Sequence, residues 1–189
     1  MNKKKKKRAI FIDRDGIINE KPPEHDYVKK WKDFKFLPNI GRAIEELGQK
    51  FLVIIITNQR GIARKIMKLK TLEDIHHKMK AELKKQNAKI NRIYFCPHNI
   101  EDNCNCRKPK PGLILKAAKD FNINLSKSYV VGDDLTDIEA GKKAGCKTIL
   151  ITKNRDLFFK NKDEKPDYIV SNIINAVKII KKSKNVSGK

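Results

Sequence analysis

Two short apolar runs that break off abruptly into polar residues constrain the fold more than any other feature. The first is 9–12 (AIFI), followed by Asp13; the second is 51–57 (FLVIIIT), followed by Asn58 and Gln59. Brief runs rich in β-branched residues read as strands buried on both faces. Between them, Pro38 and Asn39 precede a helical pattern over 40–47, with Gly48 as a stop. The unit recurs. A helix is expected over 72–86, opening after Thr71 with Asp74 in a capping-box-like place, and then a strand over 92–95. Pro111 opens a helix to about 121; a strand at 129–131, a helix near 137–144, strands at 148–151 and 168–170 and a helix over 173–181 follow. Helical crossovers return the chain in the same direction, so the strands pair in parallel and the fold class is a doubly wound α/β sheet.

Such sheets bind ligands beyond the carboxyl ends of their strands. At those places the sequence presents Asp13 and Asp15, then Thr57-Asn58-Gln59, then Arg107-Lys108, then Gly132-Asp133-Asp134. Any one of these is an ordinary turn or cap residue. Together and in order they make a phosphotransfer set. Asp13 can attack phosphorus and Asp15 can give a proton to the leaving oxygen. Attack of an anion on an anion needs compensating charge and donors, which Lys108 and the Thr57 hydroxyl supply. Asp13 and Asp133 offer oxygens to a hard cation, and magnesium fits that preference.

At 189 residues the chain suits one domain, placed over 9–182, with a basic tail at 1–8 and a second tail at 183–189, both expected to be flexible. The formal charge is +22, and Lys3 to Arg8 supply six of those charges, so the excess is distributed along the chain. A nucleic-acid footprint and a set of solvated lysines are the two explanations. Few aromatics interleave with the lysines, which favours solvated faces and makes nucleic acid a poor partner. No apolar run reaches the roughly 18 residues of a membrane span, and the lysine-rich start lacks the apolar stretch of a secretory leader. A cytoplasmic monomer with no membrane partner is the expectation.

Three of the four cysteines fall within 96–106: Cys96-Pro97-His98, five residues, then Cys104-Asn105-Cys106. In a reducing compartment this clustering favours a metal over disulfides, and three thiolates with one imidazole suit tetrahedral zinc. A loop with free thiols and a surface histidine is the alternative. With four protein ligands the zinc would be structural, and Cys106 adjoins Arg107-Lys108, so closing the loop would aim those cations. The spacing between motifs leaves no room for a large cap domain, which makes this loop the candidate cover for the site.

Asp13-Arg14-Asp15-Gly16, Thr57-Asn58, Lys108 and Gly132-Asp133 resemble the four ordered motifs of the haloacid dehalogenase superfamily. The resemblance covers most of the chain. It implies a Rossmann-like core, Asp13 as nucleophile, Asp15 as acid and base, and Thr57 and Lys108 on the phosphoryl group. It also implies magnesium on Asp13, the Asp15 backbone carbonyl and Asp133. The Cys-Pro-His, Cys-x-Cys-Arg-Lys-Pro and Pro-Gly elements narrow it to the branch that holds the heptose bisphosphate phosphatases and the histidinol phosphatases. Thr57 to Arg64, Lys108 to Gly112, and Tyr27-Val28 followed by Asp33-Phe34 favour the former. The five-residue gap in the cysteine loop is closer to the latter.

By that resemblance the loop after the first motif, His25-Asp26-Tyr27, contacts a sugar, and Asn58, Gln59, Arg60 and Asp134 join the substrate site. Arg60 replaces a small residue and Asp134 a lysine found in some members. Arg60, Arg64 and Arg107 could grip a second phosphate through paired donors, with Arg107 also beside the reacting phosphoryl group. The expected activity is release of the 7-phosphate of D-glycero-D-manno-heptose 1,7-bisphosphate. Histidinol phosphate is the alternative substrate, and a nucleic-acid 3′-phosphatase or zinc-dependent nucleic-acid-binding protein is the reading from a different class.

Overall fold

The computed structural model describes residues 5–24, 26–154 and 157–183; the remainder of the two expected tails, and His25, lie outside the described residues. The expected strands form: β1 (Ala9–Ile12), β2 (Leu52–Asn58), β3 (Arg92–Cys96), β4 (Tyr129–Gly132), β5 (Lys147–Ile151) and β6 (Tyr168–Val170). They pair in parallel in the order β3-β2-β1-β4-β5-β6. Among the described residues, five α-helices cross between or follow them: α1 (Ile40–Gly48), α2 (Leu69–Lys85), α3 (Gly112–Phe121), α4 (Leu135–Lys143) and α5 (Ile173–Lys182).

Side chains of β1 and β2 alternate between two cores. Ile10, Ile12, Val53 and Ile55 pack with the buried stripes of α1, α2 and α5. Phe11, Ile54 and Ile56 pack with Leu113, Ile114 and Ala117 of α3 and Ala140 of α4. Both faces of the central strands are covered, which is why they read as unbroken apolar runs rather than alternating ones.

Three elements differ from expectation. α2 begins at Leu69, so Thr71 is already inside the helix and Asp74 pairs with Lys78 one turn on (2.8 Å) instead of closing a cap. α1 runs through Gly48, with Gln49 after it. α4 starts two residues early, because Asp134 caps it: its side chain accepts from the Thr136 N–H, and the Asp137 side chain accepts from the Asp134 N–H. Ahead of β1, Lys7 already bridges Ile123, so the backbone is tied down within the segment expected to be a tail.

Candidate active site

Chain order sends β2 and β3 to one side of β1 and β4 to β6 to the other, so the topological switch lies between β1 and β4. Residues that follow these two strands face each other across it. The Asp13 N–H donates to Val131 O at 3.0 Å, which holds Asp13 beside the end of β4. Gly16 makes the approach possible. Its φ is +90°, and a Cβ there would stand 2.4 Å from Asp133 Oδ2.

Lys108 is the electrostatic centre. Its Nζ lies 2.9 Å from Asp13 Oδ1, 2.5 Å from Asp137 Oδ1 and 3.3 Å from Ile56 O, with the side chain only 4% exposed. Burial disfavours its charge, but Asp13 and Asp137 outweigh that and hold its pKa above the usual lysine range. Asn58 fixes the Lys108 backbone from both sides: its Nδ2 donates to Lys108 O (3.2 Å) and its Oδ1 accepts from Lys108 N–H (3.1 Å). Asn58, expected at the substrate, has its side-chain amide engaged by the Lys108 backbone.

Asp137, inside α4, joins the site without a sequence boundary to mark it. It is fully buried, and burial, with Asp13 and Asp133 nearby, pushes it up to about 8 against the pull of Lys108. Burial and the neighbouring carboxylates likewise raise Asp13, although Lys108 opposes them. One carboxylate oxygen from each of Asp13, Asp133 and Asp137 lies within 4.8 Å of the others, and Asp133 Oδ1 is buried with no hydrogen-bond partner among the described residues. Crowded carboxylates with an orphaned oxygen are a donor set for a hard dication, whose charge would relieve their repulsion.

Asp15 differs from Asp13. Burial pushes its carboxyl up, but Arg14 beside it and hydrogen bonds from Asn19 and Gln59 bring it below the ordinary range. Asn19 Nδ2 reaches Oδ1 at 2.8 Å, and Gln59 Nε2 reaches Oδ2 at 3.0 Å and also Thr57 Oγ1 at 2.9 Å. Gln59 therefore links the second strand end to the first. Thr57 itself is buried at the end of β2.

Around the mouth, Lys21 reaches across to Asp133 (2.6 Å) and lies 3.9 Å from Asp134. The Tyr27 ring lies against Gly61, where a Cβ would meet ring carbons at 3.0–3.3 Å. The loop after the first motif thus extends from Asp133 to the segment after β2. Within it, Asp26 pairs with Lys29 at 2.9 Å. Arg60 turns towards the cysteine loop, where it bonds Asn99 and lies 3.5 Å from Glu101, while Arg64 is exposed. Arg107 Nη1 is buried with no hydrogen-bond partner among the described residues. Asp134, besides capping α4, has its side chain half exposed.

The cysteine loop gathers as its spacing suggests. Cys96 and Cys104 sulfurs are 3.5 Å apart, Cys104 and Cys106 3.4 Å, and His98 Nδ1 lies 3.1 Å from Cys106 and 3.6 Å from Cys96. These approach the edges of a tetrahedron about an ion with bonds of about 2.3 Å to sulfur. The four residues can hold a metal ion.

An open parallel sheet with carboxylates at its switch point and a buried lysine between them defines a class of phosphoryl-handling α/β hydrolases. Residues 105–176 match the family described as HAD-hydrolase-like. The chain is 34% identical to the D-glycero-beta-D-manno-heptose-1,7-bisphosphate 7-phosphatase of Haemophilus ducreyi, over 90% of this chain and 97% of that one. It is 39% identical to the D-glycero-alpha-D-manno-heptose-1,7-bisphosphate 7-phosphatase of Campylobacter jejuni, over 84% and 94%. The solved D,D-heptose 1,7-bisphosphate phosphatase from B. bronchiseptica, complexed with magnesium and phosphate, superposes with a TM-score of 0.84 at 30% identity, over 93% of this chain and 99% of that one. The chain belongs to the haloacid dehalogenase-like hydrolases, among their phosphatases. Among the described residues, no helix is long and apolar enough to cross a membrane.

Proposed function

We propose that the chain hydrolyses the 7-phosphate of D-glycero-D-manno-heptose 1,7-bisphosphate through an aspartyl phosphate on Asp13. The observation that carries the mechanism is the shared ammonium of Lys108, 2.9 Å from Asp13 and 2.5 Å from Asp137. The substrate is supported by the names of the relatives and of the solved neighbour. Their names include both anomers, so the C1 configuration is left to measurement.

In the first step an Asp13 oxygen bonds to phosphorus as the bond to the sugar oxygen breaks, and Asp15 gives that oxygen its proton. In the second, Asp15 takes a proton from water as the water oxygen bonds to phosphorus and the bond to Asp13 breaks, releasing phosphate. The donors around Asp15 favour its ionised form, which suits it to the second step, and the proton it takes from water there is the one it gives to the leaving oxygen of the next turnover. Lys108 and Thr57 stabilise the charge on the phosphoryl oxygens, and Arg107, with an unpartnered buried nitrogen, adds to them. Asp137 keeps Lys108 aimed. Asp13, the Asp15 backbone carbonyl and Asp133 would hold magnesium, which supplies charge neutralisation at the phosphoryl group.

Asp26, Tyr27 and Lys21 form the rim against which the sugar would rest, with Gln59 buried behind them on Asp15 and Thr57. Cys96, His98, Cys104 and Cys106 would hold structural zinc and, through Cys106, stiffen the segment that carries Arg107 and Lys108. We place the enzyme in the cytoplasm, where thiolate ligands stay reduced.

The test is kcat/KM with magnesium on both anomers of heptose 1,7-bisphosphate, histidinol phosphate and a 3′-phosphorylated oligonucleotide. One heptose anomer should exceed every other substrate. Preference for either of the last two would overturn the assignment.

A further inference from the structure

Between the two aspartates stands a fully buried arginine for which the phosphoryl-transfer scheme has no use. Arg14 Nε and Nη2 contact the Asp15 carboxylate at 2.9–3.1 Å as a two-pronged pair. Its remaining nitrogen, Nη1, lies 3.2 Å from Nε2 of His76 on α2. A guanidinium can only donate, so Nε2 accepts and the ring carries its proton on Nδ1.

His76 lies on the buried face of α2, with Leu72, Ile75, Met79 and Leu83. The Phe95 ring packs 5.9 Å away at a tilt of 59°. Burial, with the Arg14 charge beside it, pushes His76 down to about 3, so the ring is neutral at working pH. A histidine at an apolar stripe position carries a desolvation cost that another aliphatic side chain would not. Here it meets the one guanidinium nitrogen that Asp15 does not engage.

We propose that His76 is a positioning residue for proton transfer: by accepting from Arg14 it fixes the plane of the guanidinium, and that plane fixes the Asp15 carboxylate. The proposal rests on the role given to Asp15 above. Of the two Asp15 oxygens, Oδ1 accepts from Arg14 Nε, Arg14 Nη2 and Asn19, while Oδ2 accepts from Nη2 and Gln59. Gln59 has Thr57 Oγ1 as a second acceptor, so Oδ2 is the oxygen freer to exchange a proton. Loss of the His76 acceptor leaves the Arg14 charge in place but lets its plane turn, and Oδ2 moves off the line to the leaving oxygen.

Proton donation matters most when the leaving oxygen is a poor one. A primary sugar oxygen needs the proton; the nitrophenolate of p-nitrophenyl phosphate hardly does. His76→Leu should therefore lower kcat on heptose 1,7-bisphosphate about tenfold more than on p-nitrophenyl phosphate, with KM little changed. His76→Gln, whose amide oxygen can reach the position of Nε2, should recover most of the difference. Should His76→Leu fail to fold, His76→Met replaces it with the same expectations.

Equal losses on both substrates, or no recovery in His76→Gln, would overturn the proposal and reduce His76 to a packing residue. Asp15→Asn is measured alongside on the same pair. If it shows the leaving-group difference and the His76 variants do not, only the positioning role falls; if Asp15→Asn shows none, the acid role of Asp15 falls and the proposal with it.

Discussion

Lys108 and Lys21 each set an ammonium against an active-site aspartate, and they do so on opposite terms. Lys108 is 4% exposed, bracketed by two carboxylates and a carbonyl, with its backbone clasped by Asn58. Lys21 is 54% exposed and reaches Asp133 from a loop. The floor of the site is over-determined by buried partners, so its geometry survives between turnovers. The rim is held by a few exposed contacts, and its residues can change with the substrate at little cost to the fold. Under the proposed function, chemistry is thereby separated from selectivity at the carboxyl end of one sheet.

Substitutions on the floor and the rim should separate in the same way. Asp13→Asn should lower kcat by on the order of a thousandfold or more, with the fold intact by circular dichroism. Lys108→Met leaves Asp13 and Asp137 without their shared cation and should cost about 3–5 kcal/mol in urea unfolding without magnesium. Cys104→Ala should remove zinc, read by elemental analysis, and lower turnover about tenfold or more. Full activity in a verified zinc-free enzyme would detach the cysteine loop from the floor.

Acid should expose the floor more gradually. Burial, with the Arg14 charge beside it, pushes His76 down from the ordinary value of about 6.5 to about 3. Its folded value is depressed, so its share of stability is complete above about 6.5. As pH falls from there towards about 3 the unfolded chain takes up a proton that the fold refuses, at up to about 1.4 kcal/mol per pH unit. His76→Gln should lack this share of the acid slope in denaturant titrations. Smallest of all, Lys21→Met should cost less than about 1 kcal/mol, because its ion pair faces solvent. A loss as large as that of Lys108→Met would erase the contrast.

The same contrast decides what was legible in the sequence. Asp13 and Asp133 directly follow apolar strands, and Thr57 closes one, so the change from apolar to polar marks them. Lys108 is marked by its place beside Cys106. Asp137 has no such boundary. It lies inside α4, four residues after Asp133, and a charged residue in an amphipathic helix reads as solvent-facing unless that one-turn spacing is weighed. Arg14 and His76 are 62 positions apart and meet because the buried face of α2 shares a core with Ile10 and Ile12 of β1, a tertiary fact that no local pattern encodes. Asn58 and Arg60 stand where the sequence puts them but face Lys108 and the cysteine loop, since side-chain direction at a strand end is set by the neighbouring segments. The early start of α2 has a similar cause: its buried face, from Leu72 to Leu83, anchors the helix without help from Thr71.

The most direct test of the floor is to trap its intermediate. Protein mixed with magnesium and heptose 1,7-bisphosphate is quenched with borohydride, which reduces an acyl phosphate to an alcohol, and the peptide spanning 9–16 is read by mass spectrometry. Homoserine in place of Asp13, lost when substrate is omitted, is the predicted result. An unmodified Asp13 during active turnover, or reduction at Asp15 instead, would contradict it.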